Sequence, residues 1–222
     1  MRRAHQLHLG WVLMLTVSGC AGYRGGWESA AYIGSMQAAP SAAAGRAPAT
    51  RDHRPLTLPG LELEVSLDNR LRTYDVQVYL YVLPLWIDPR PVYANNAAPG
   101  KTRVYITVTP STPDFVFRPE LASLTVADQR FEGIAGFEFN RWDRDGRRVG
   151  EGGTWDHRPV GTEFALSEAG RKYHLSIDFA TPDPSPESSD IAIDLSRALT
   201  SPHYPAVPLI RFMPVRWREG YS

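Results

Sequence analysis

Cysteine is almost missing from this 222-residue chain, and Cys20 is the only one. No intrachain disulfide is possible, so the folded part must rest on its own apolar core even in an oxidising compartment. A surplus of basic residues is missing too: 24 Lys and Arg stand against 24 Asp and Glu. That balance leaves no electrostatic footprint for nucleic acid, and no nucleic-acid partner is expected. Lysine occurs only at Lys101 and Lys172, and the arginine bias reads as a coding bias of a GC-rich genome. There is no internal repeat and no amphipathic helical period of normal length. Neither a Gly-x-Ser-x-Gly elbow nor a Ser-x-x-Lys arrangement occurs, so nothing points to an activated nucleophile.

What is present starts with a leader. Arg2 and Arg3 precede an apolar run that begins near Leu9 and ends in small residues at Ser18 and Gly19. This is the layout of a secretory signal. A spanning anchor would want about 20 predominantly apolar residues, and His5, Gln6, His8 and several glycines interrupt this stretch.

The run Val17-Ser18-Gly19-Cys20 resembles the lipobox of bacterial lipoproteins. The resemblance covers the leader alone. It implies cleavage between Gly19 and Cys20, a diacylglycerol on the Cys20 thiol and an acylated amine, with lipid (palmitate-type acyl chains) holding the chain to a membrane. Two chains hold stably where one holds marginally, at about 0.8 kcal/mol per buried methylene. By the sorting rule of that family, Ala21 rather than Asp after the cysteine implies the outer membrane. Losing Arg2 and Arg3 leaves 22 basic against 24 acidic residues, a net charge of −2.

From Ala21 to Thr57 the composition is Gly, Ala, Ser, Pro and Arg. The expectation is a flexible linker over residues 20–57, with a root-mean-square reach of roughly 30–36 Å. Trp27, Tyr32 and Ile33 are its exceptions.

Residues 58–222 carry the two-residue period of strands. Leu61, Leu63, Val65 and Leu67 share one face. Val76 to Val82 is apolar on both faces, which predicts a central strand ended by Pro84, with a long Pro-rich loop to Gly100. Val104, Ile106 and Val108 predict the next strand, and Phe115-Val116-Phe117 a short edge strand. Leu124–Val126 and Arg130–Glu132 predict a hairpin about Ala127-Asp128-Gln129, followed by a strand from Phe137 to Trp142. Phe164–Leu166 and Tyr173–Phe179 predict a second hairpin, with Gly170 supplying positive φ. Ile191, Ile193 and Leu195 alternate again, and Leu209–Phe212 and Val215–Arg218 predict closing strands interrupted by Pro214. Short strands about ten residues apart with prolines in the connections predict an all-β fold, an antiparallel β-sandwich. The immunoglobulin signature of Cys, Trp and Cys is absent, so an immunoglobulin-like label rests on architecture alone.

No cofactor is expected and no metal site. Asp143-Arg144-Asp145-Gly146 places alternate aspartates before a glycine. The spacing departs from a calcium loop at Arg147, however, and turn chemistry accounts for Asp-Gly. His53, His157, His174 and His203 are far apart in sequence, and His174 alternates outward on its strand. The chain is expected not to be an enzyme.

The remaining signal is aromatic: Trp86, Tyr93, Trp142, Trp155, Tyr204 and Tyr221 fall in or beside loops, or opposite the apolar face of their strands. Trp142 and Trp155 are the candidate ligand contacts. The expectation is a lipid-anchored envelope protein, periplasmic or surface-facing, acting as a binding or assembly component. Its partner would be an envelope protein or a glycan such as peptidoglycan. Tyr74 to Leu83 is also similar to a stretch in β-sandwich accessory lipoproteins of secretion machines, over too short a length to carry residues across.

Overall fold

The computed structural model describes residues 21–34, 55–79, 83–93 and 99–221. They form β1 (Ala21–Tyr32), β2 (Leu56–Leu58), β3 (Leu61–Leu67), β4 (Leu71–Tyr79), β5 (Leu83–Asp88), β6 (Val92–Tyr93), β7 (Thr102–Pro110) and β8 (Phe115–Phe117). A 3-10 turn at Pro119–Leu121 leads to β9 (Ser123–Val126), β10 (Gln129–Trp142), β11 (Thr154–Pro159), β12 (Phe164–Leu166), β13 (Tyr173–Phe179), β14 (Ile191–Asp194), β15 (Leu199–Thr200) and β16 (Ile210–Tyr221). The fold is all-β and antiparallel, as the alternation predicts. On β3 and β7 every second residue is buried, from Leu61 to Leu67 and from Thr102 to Pro110.

A 13-stranded sheet and a three-stranded sheet, β12-β8-β15, enclose one core as the layers of a sandwich. Leu63, Val104, Ile106, Ile177, Phe179, Ile193 and Phe212 fill it from the large sheet, and Phe115, Phe117, Leu166 and Leu199 from the small one. Burying each such side chain contributes about 1.5–3 kcal/mol relative to exposure. The large sheet runs β3-β7-β13-β10-β9-β14-β16-β1 and then returns on itself, because Ala30 of β1 lies opposite Ser66 of β3. All eight steps of this ring are antiparallel. An even number of antiparallel steps closes without a parallel seam, and each strand acquires a defined direction. β1, β7, β10 and β14 run one way; β3, β9, β13 and β16 run the other. The ring thus has a near end, where β1 begins and β16 finishes, and a far end, toward which β10 runs.

Two arms leave the ring. At the near end, Ala21–Trp27 of β1 pair with β4 on one side and with β16 on the other, and β5 continues beyond β4. At the far end, β10 passes its last pairing with β13 at Glu138 and continues to Trp142, paired with β11 on one side and bridged to Arg148 at Trp142.

Several expectations are corrected. The predicted linker begins as a strand: residues 21–32 are β1, paired residue by residue with β16. Its small residues reflect close packing, since a Cβ on Gly26 would overlap the Leu71 carbonyl oxygen. A Cβ on Gly25 would lie 2.6 Å from the Trp217 carbonyl oxygen. Glycine permits that approach. The rest of the linker, residues 35–54, lies outside the described residues, as do the leader, Gly19 and Cys20.

The hairpin predicted from Phe164 to Phe179 does not form. β12 pairs with β8 in the small sheet, while β13 pairs with β7 and β10. Gly170 has the positive φ its turn requires, +73°, yet its N–H donates to the Pro110 carbonyl and sends the chain to another layer. β8 is correspondingly the middle strand of its sheet rather than an edge. Pro84 falls within β5, beside a register shift in its pairing with β4. β5 ends the sheet order, so the missing donor costs no ladder. Pro214 sits inside a continuous β16, opposite Ser29. β14 pairs only with Ile210–Phe212, which leaves the other side of β16 without a ladder at that point.

Candidate functional site

The far arm carries both tryptophans proposed as ligand contacts. Its turn is built by Asp143, whose backbone N–H donates to the Arg147 carbonyl at 2.9 Å. The Asp143 carboxylate accepts the Arg147 N–H at 2.7 Å. Gly146 supplies a φ of +80°. The Asp143–Gly146 stretch therefore acts as turn chemistry. Trp155 lies opposite Arg141, and Thr154 lies opposite Trp142. The structure brings the two tryptophans onto one arm and points them to opposite faces, because neighbouring register positions alternate.

On one face, Trp155 stacks on Phe139 at 5.2 Å between centroids and 20° between planes. The Arg141 guanidinium stands 5.2 Å from the indole centroid. Trp155 is nevertheless 51% exposed. It borders a cleft of about 690 Å³ with Asn140, Arg141, Arg148, Glu151 and Arg171. Arg148 donates to Glu138 at 3.0 Å, and this carboxylate, 3% exposed, also accepts from Asn140 at 2.9 Å. Arg171 is paired with Glu168. Among the described residues Arg141 has no acidic partner. The cleft offers the exposed Trp155 ring and the Arg141 guanidinium over it, while the Asn140 amide is bonded to Glu138 and to the Arg141 N–H. Glu151 adds a carboxylate to the lining, and the set suits a polar ligand carrying both an anionic group and hydroxyl donors.

On the other face, Trp142 is braced. Its indole N–H donates to the Asp156 carbonyl at 3.1 Å, and Arg158 stands 4.9 Å over its ring. A smaller depression of about 510 Å³ lies between Trp142, Arg144, Thr154 and Arg158.

The arm is footed on the outer surface of β7, β13 and β10, where alternation sends Tyr105, Ser176, Asp178, Phe137 and Phe139 away from the core. His157 packs 4.6 Å from Phe139 and 6.1 Å from Tyr105. Arg103 stands 4.6 Å over Phe137 and donates to both Asp178 oxygens, at 2.5 and 2.9 Å. Loss of water around the imidazole, and secondarily the Arg103 charge, holds His157 below the ordinary histidine range. Desolvation, and then the charge of Asp68, raises the Tyr105 hydroxyl above its ordinary value. Among the described residues, Nδ1 of His157 and Oγ of Ser176 are buried without a hydrogen-bond partner. This cluster of residues from four strands was not visible in the sequence.

The other aromatics do not join the far arm. Tyr204 stacks on Phe115 at 5.6 Å and packs against the core. Trp86 and Tyr93 lie on β5 and β6 of the near arm, and Tyr221 ends β16 opposite Gly22. His174 is exposed beside Thr107, and His203 faces Asp114 at 3.9 Å; His53 lies outside the described residues. Among the described residues no group of three or more His, Cys, Asp or Glu could hold a metal ion. No helix among them is long and apolar enough to cross a membrane. Comparison with known proteins returns no matching family model, curated protein or solved structure.

Proposed function

We propose that this chain is a lipid-anchored protein of the outer membrane that binds rather than catalyses. Cys20 is held in the leaflet at the near end of the ring, and the Trp155–Arg141 cleft is presented at the far end to a carboxylate-bearing glycan. The reading is supported by one relationship in particular. β1 runs away from Cys20, β10 runs the same way, and the half-exposed Trp155 stands beside the uncommitted Arg141 where β10 ends. An anchored protein with a ligand in the periplasmic space needs that polarity.

Sugar rings stack on indole faces through their apolar C–H surfaces, and a guanidinium binds a carboxylate through paired N–H donors. Trp155 and Arg141 supply both within one register pair. Trp142 serves the arm as a brace.

Retention of the full chain on purified peptidoglycan sacculi tests this. Wild type is expected to be retained, and Trp155→Ala to lose about ten-fold in affinity, the effect of removing one central aromatic contact. Arg141→Gln is expected to weaken retention in the same assay and to flatten its salt dependence. Retention unchanged by both substitutions would sink the glycan reading. A cross-linker placed at Trp155 that captures one large protein in intact cells, with no sacculus retention, would replace the glycan with a protein partner.

A further inference from the structure

The near arm has a feature that the far cleft does not account for. Ala21 is the first residue of β1, so Cys20 is joined to the sheet with no intervening linker. Gly22 lies opposite Gln77, and Gln77 opposite Trp86; Tyr23 lies opposite Val76, and Val76 opposite Ile87. Trp86 is 42% exposed and Ile87 58% exposed, and both stand on the terminal strand of the sheet. As neighbouring strand positions the two side chains project from opposite faces, so each flank of the free end of the sheet presents one large apolar side chain to water.

Beside them runs a ladder of rings and cations. Arg218 stands 4.4 Å over Tyr23, which meets Tyr74 edge-on at 6.1 Å, and Arg216 stands 4.8 Å over Trp27. Neither Arg216 nor Arg218 has an acidic partner among the described residues. Rings with an apolar body and a polar tip, next to unpaired arginines, form the composition that settles at a membrane–water boundary.

We propose that the tip of the near arm is seated in the lipid headgroup layer of the membrane that holds Cys20. Trp86, Ile87 and Tyr23 meet the outer edge of the layer, and Arg218 and Arg216, opposite Gly25 and Trp27, stand about 17 and about 23 Å from Cys20 along β1, above the layer and toward its anionic surface. The inference rests on the lipid-anchor reading above. At about 3.3 Å per strand residue, the rows of Gly22 and Tyr23 lie about 7–10 Å from Cys20 along β1. The headgroup layer of one leaflet is about 5–7 Å thick, so an acylated Cys20 carries these rows to its edge. The domain is then docked on the bilayer, and the far arm is held away from it at a fixed height.

Because Cys20 is the only cysteine and lipidation consumes its thiol, one introduced cysteine gives the lipidated protein a single labelling site. The full chain is purified from membranes as Ile87→Cys, Trp86→Cys or Gly150→Cys and labelled with an environment-sensitive fluorophore. It is then reconstituted in vesicles of phosphatidylethanolamine and phosphatidylglycerol. Gly150 is the reference, in the exposed turn of the far arm with nothing within 4 Å of its Cβ position. The near-arm probes are expected to show blue-shifted emission that spin-labelled lipid quenches, while the Gly150 probe shows neither. Near-arm probes as wet as the Gly150 probe, in protein whose intact mass carries the lipid, would overturn the seating and leave the anchor standing. A mass showing unmodified Cys20, with a second label per chain, would overturn the anchor and the seating together.

Discussion

Ala30 lies opposite Ser66, and this single pair joins β1 to β3 and closes the ring. It also divides β1 in two. Beyond Trp27 the strand belongs to the ring, between β16 and β3; up to Trp27 it belongs to the near arm, between β16 and β4. The buried side chains of the arm, Leu71, Val76 and Trp217, lie outside the main core cluster. The arm is therefore expected to open independently of the ring.

Gly26→Ala tests that division. A Cβ there falls on the Leu71 carbonyl, so β4 must move away from β1, at a cost of about 1–3 kcal/mol for overpacking. Amide exchange is expected to accelerate in residues 21–27 and 71–79 and to stay unchanged at Val104, Ile106 and Val108. Gly150→Ala, in open space, is expected to stay within about 0.5 kcal/mol of wild type by urea denaturation. Uniform acceleration across the core would show the arm and ring to be one cooperative unit.

Why β3, β7 and β14 could be read from sequence while β1 could not follows from the same contrast. Leu61, Leu63, Val65 and Leu67 bury one face against a core, so the alternation of the strand is written in apolar side chains. β1 is held by backbone approach at Gly25 and Gly26, which leaves no apolar signature and reads as linker. Partner choice is equally silent. Phe164–Leu166 and Tyr173–Phe179 have the pattern of a hairpin, and only tertiary packing sends β12 to Phe115–Phe117. In the far arm, the sequence singled out Trp142 and Trp155 as aromatic and close to a turn. Their opposite facings depend on register, which the sequence left open.

Arg103 and Asp178 supply a second test. Asp178 is 6% exposed and holds the guanidinium against Phe137. Asp178→Ala strands that charge over the ring and is expected to cost about 1.5–3 kcal/mol in urea denaturation. Arg103→Leu in the same chain is expected to recover most of the loss, because a covered apolar pair removes the unpaired charge. A double variant no more stable than Asp178→Ala would show that the pair holds the face by more than charge.

At the near arm, Asp88 accepts from the Arg90 side chain at 2.9 and 3.1 Å, from the Arg90 backbone N–H at 3.0 Å and from Arg72 at 3.4 Å. The Arg90 side chain, then its backbone N–H, draws the carboxyl down to about 2, against a partial opposing effect of burial. The folded value lies below the unfolded one, so the stabilisation is complete above about pH 3.9 and is lost as pH falls toward 2. Carboxyl carbon shifts are expected to titrate Asp88 near 2. Arg90→Ala is expected to raise that midpoint while leaving it below the ordinary range, since the backbone donor stays.

His157 gives the opposite kind of group, held neutral instead of charged. Loss of water around the ring is the main cause of its lowered value and Arg103 the next, while Asp156 and Asp178 push weakly the other way. The folded imidazole takes its proton at lower pH than the unfolded one, near 6.5. The unfolded state therefore binds more protons below that point. The contribution of His157 is complete above about pH 6.5 and is lost progressively as pH falls toward the folded value. Tm is expected to drop on acidification through this window. His157→Phe keeps a ring against Phe139 and Tyr105, and is expected to flatten that part of the profile. If His157→Phe retains the full slope, the proton is taken up elsewhere, and the footing of the far arm is not what acid weakens. If the slope disappears, protonation at the foot of the arm loosens the platform on which Trp155 stands, so ligand retention at the far cleft is expected to fall with Tm across the same pH interval.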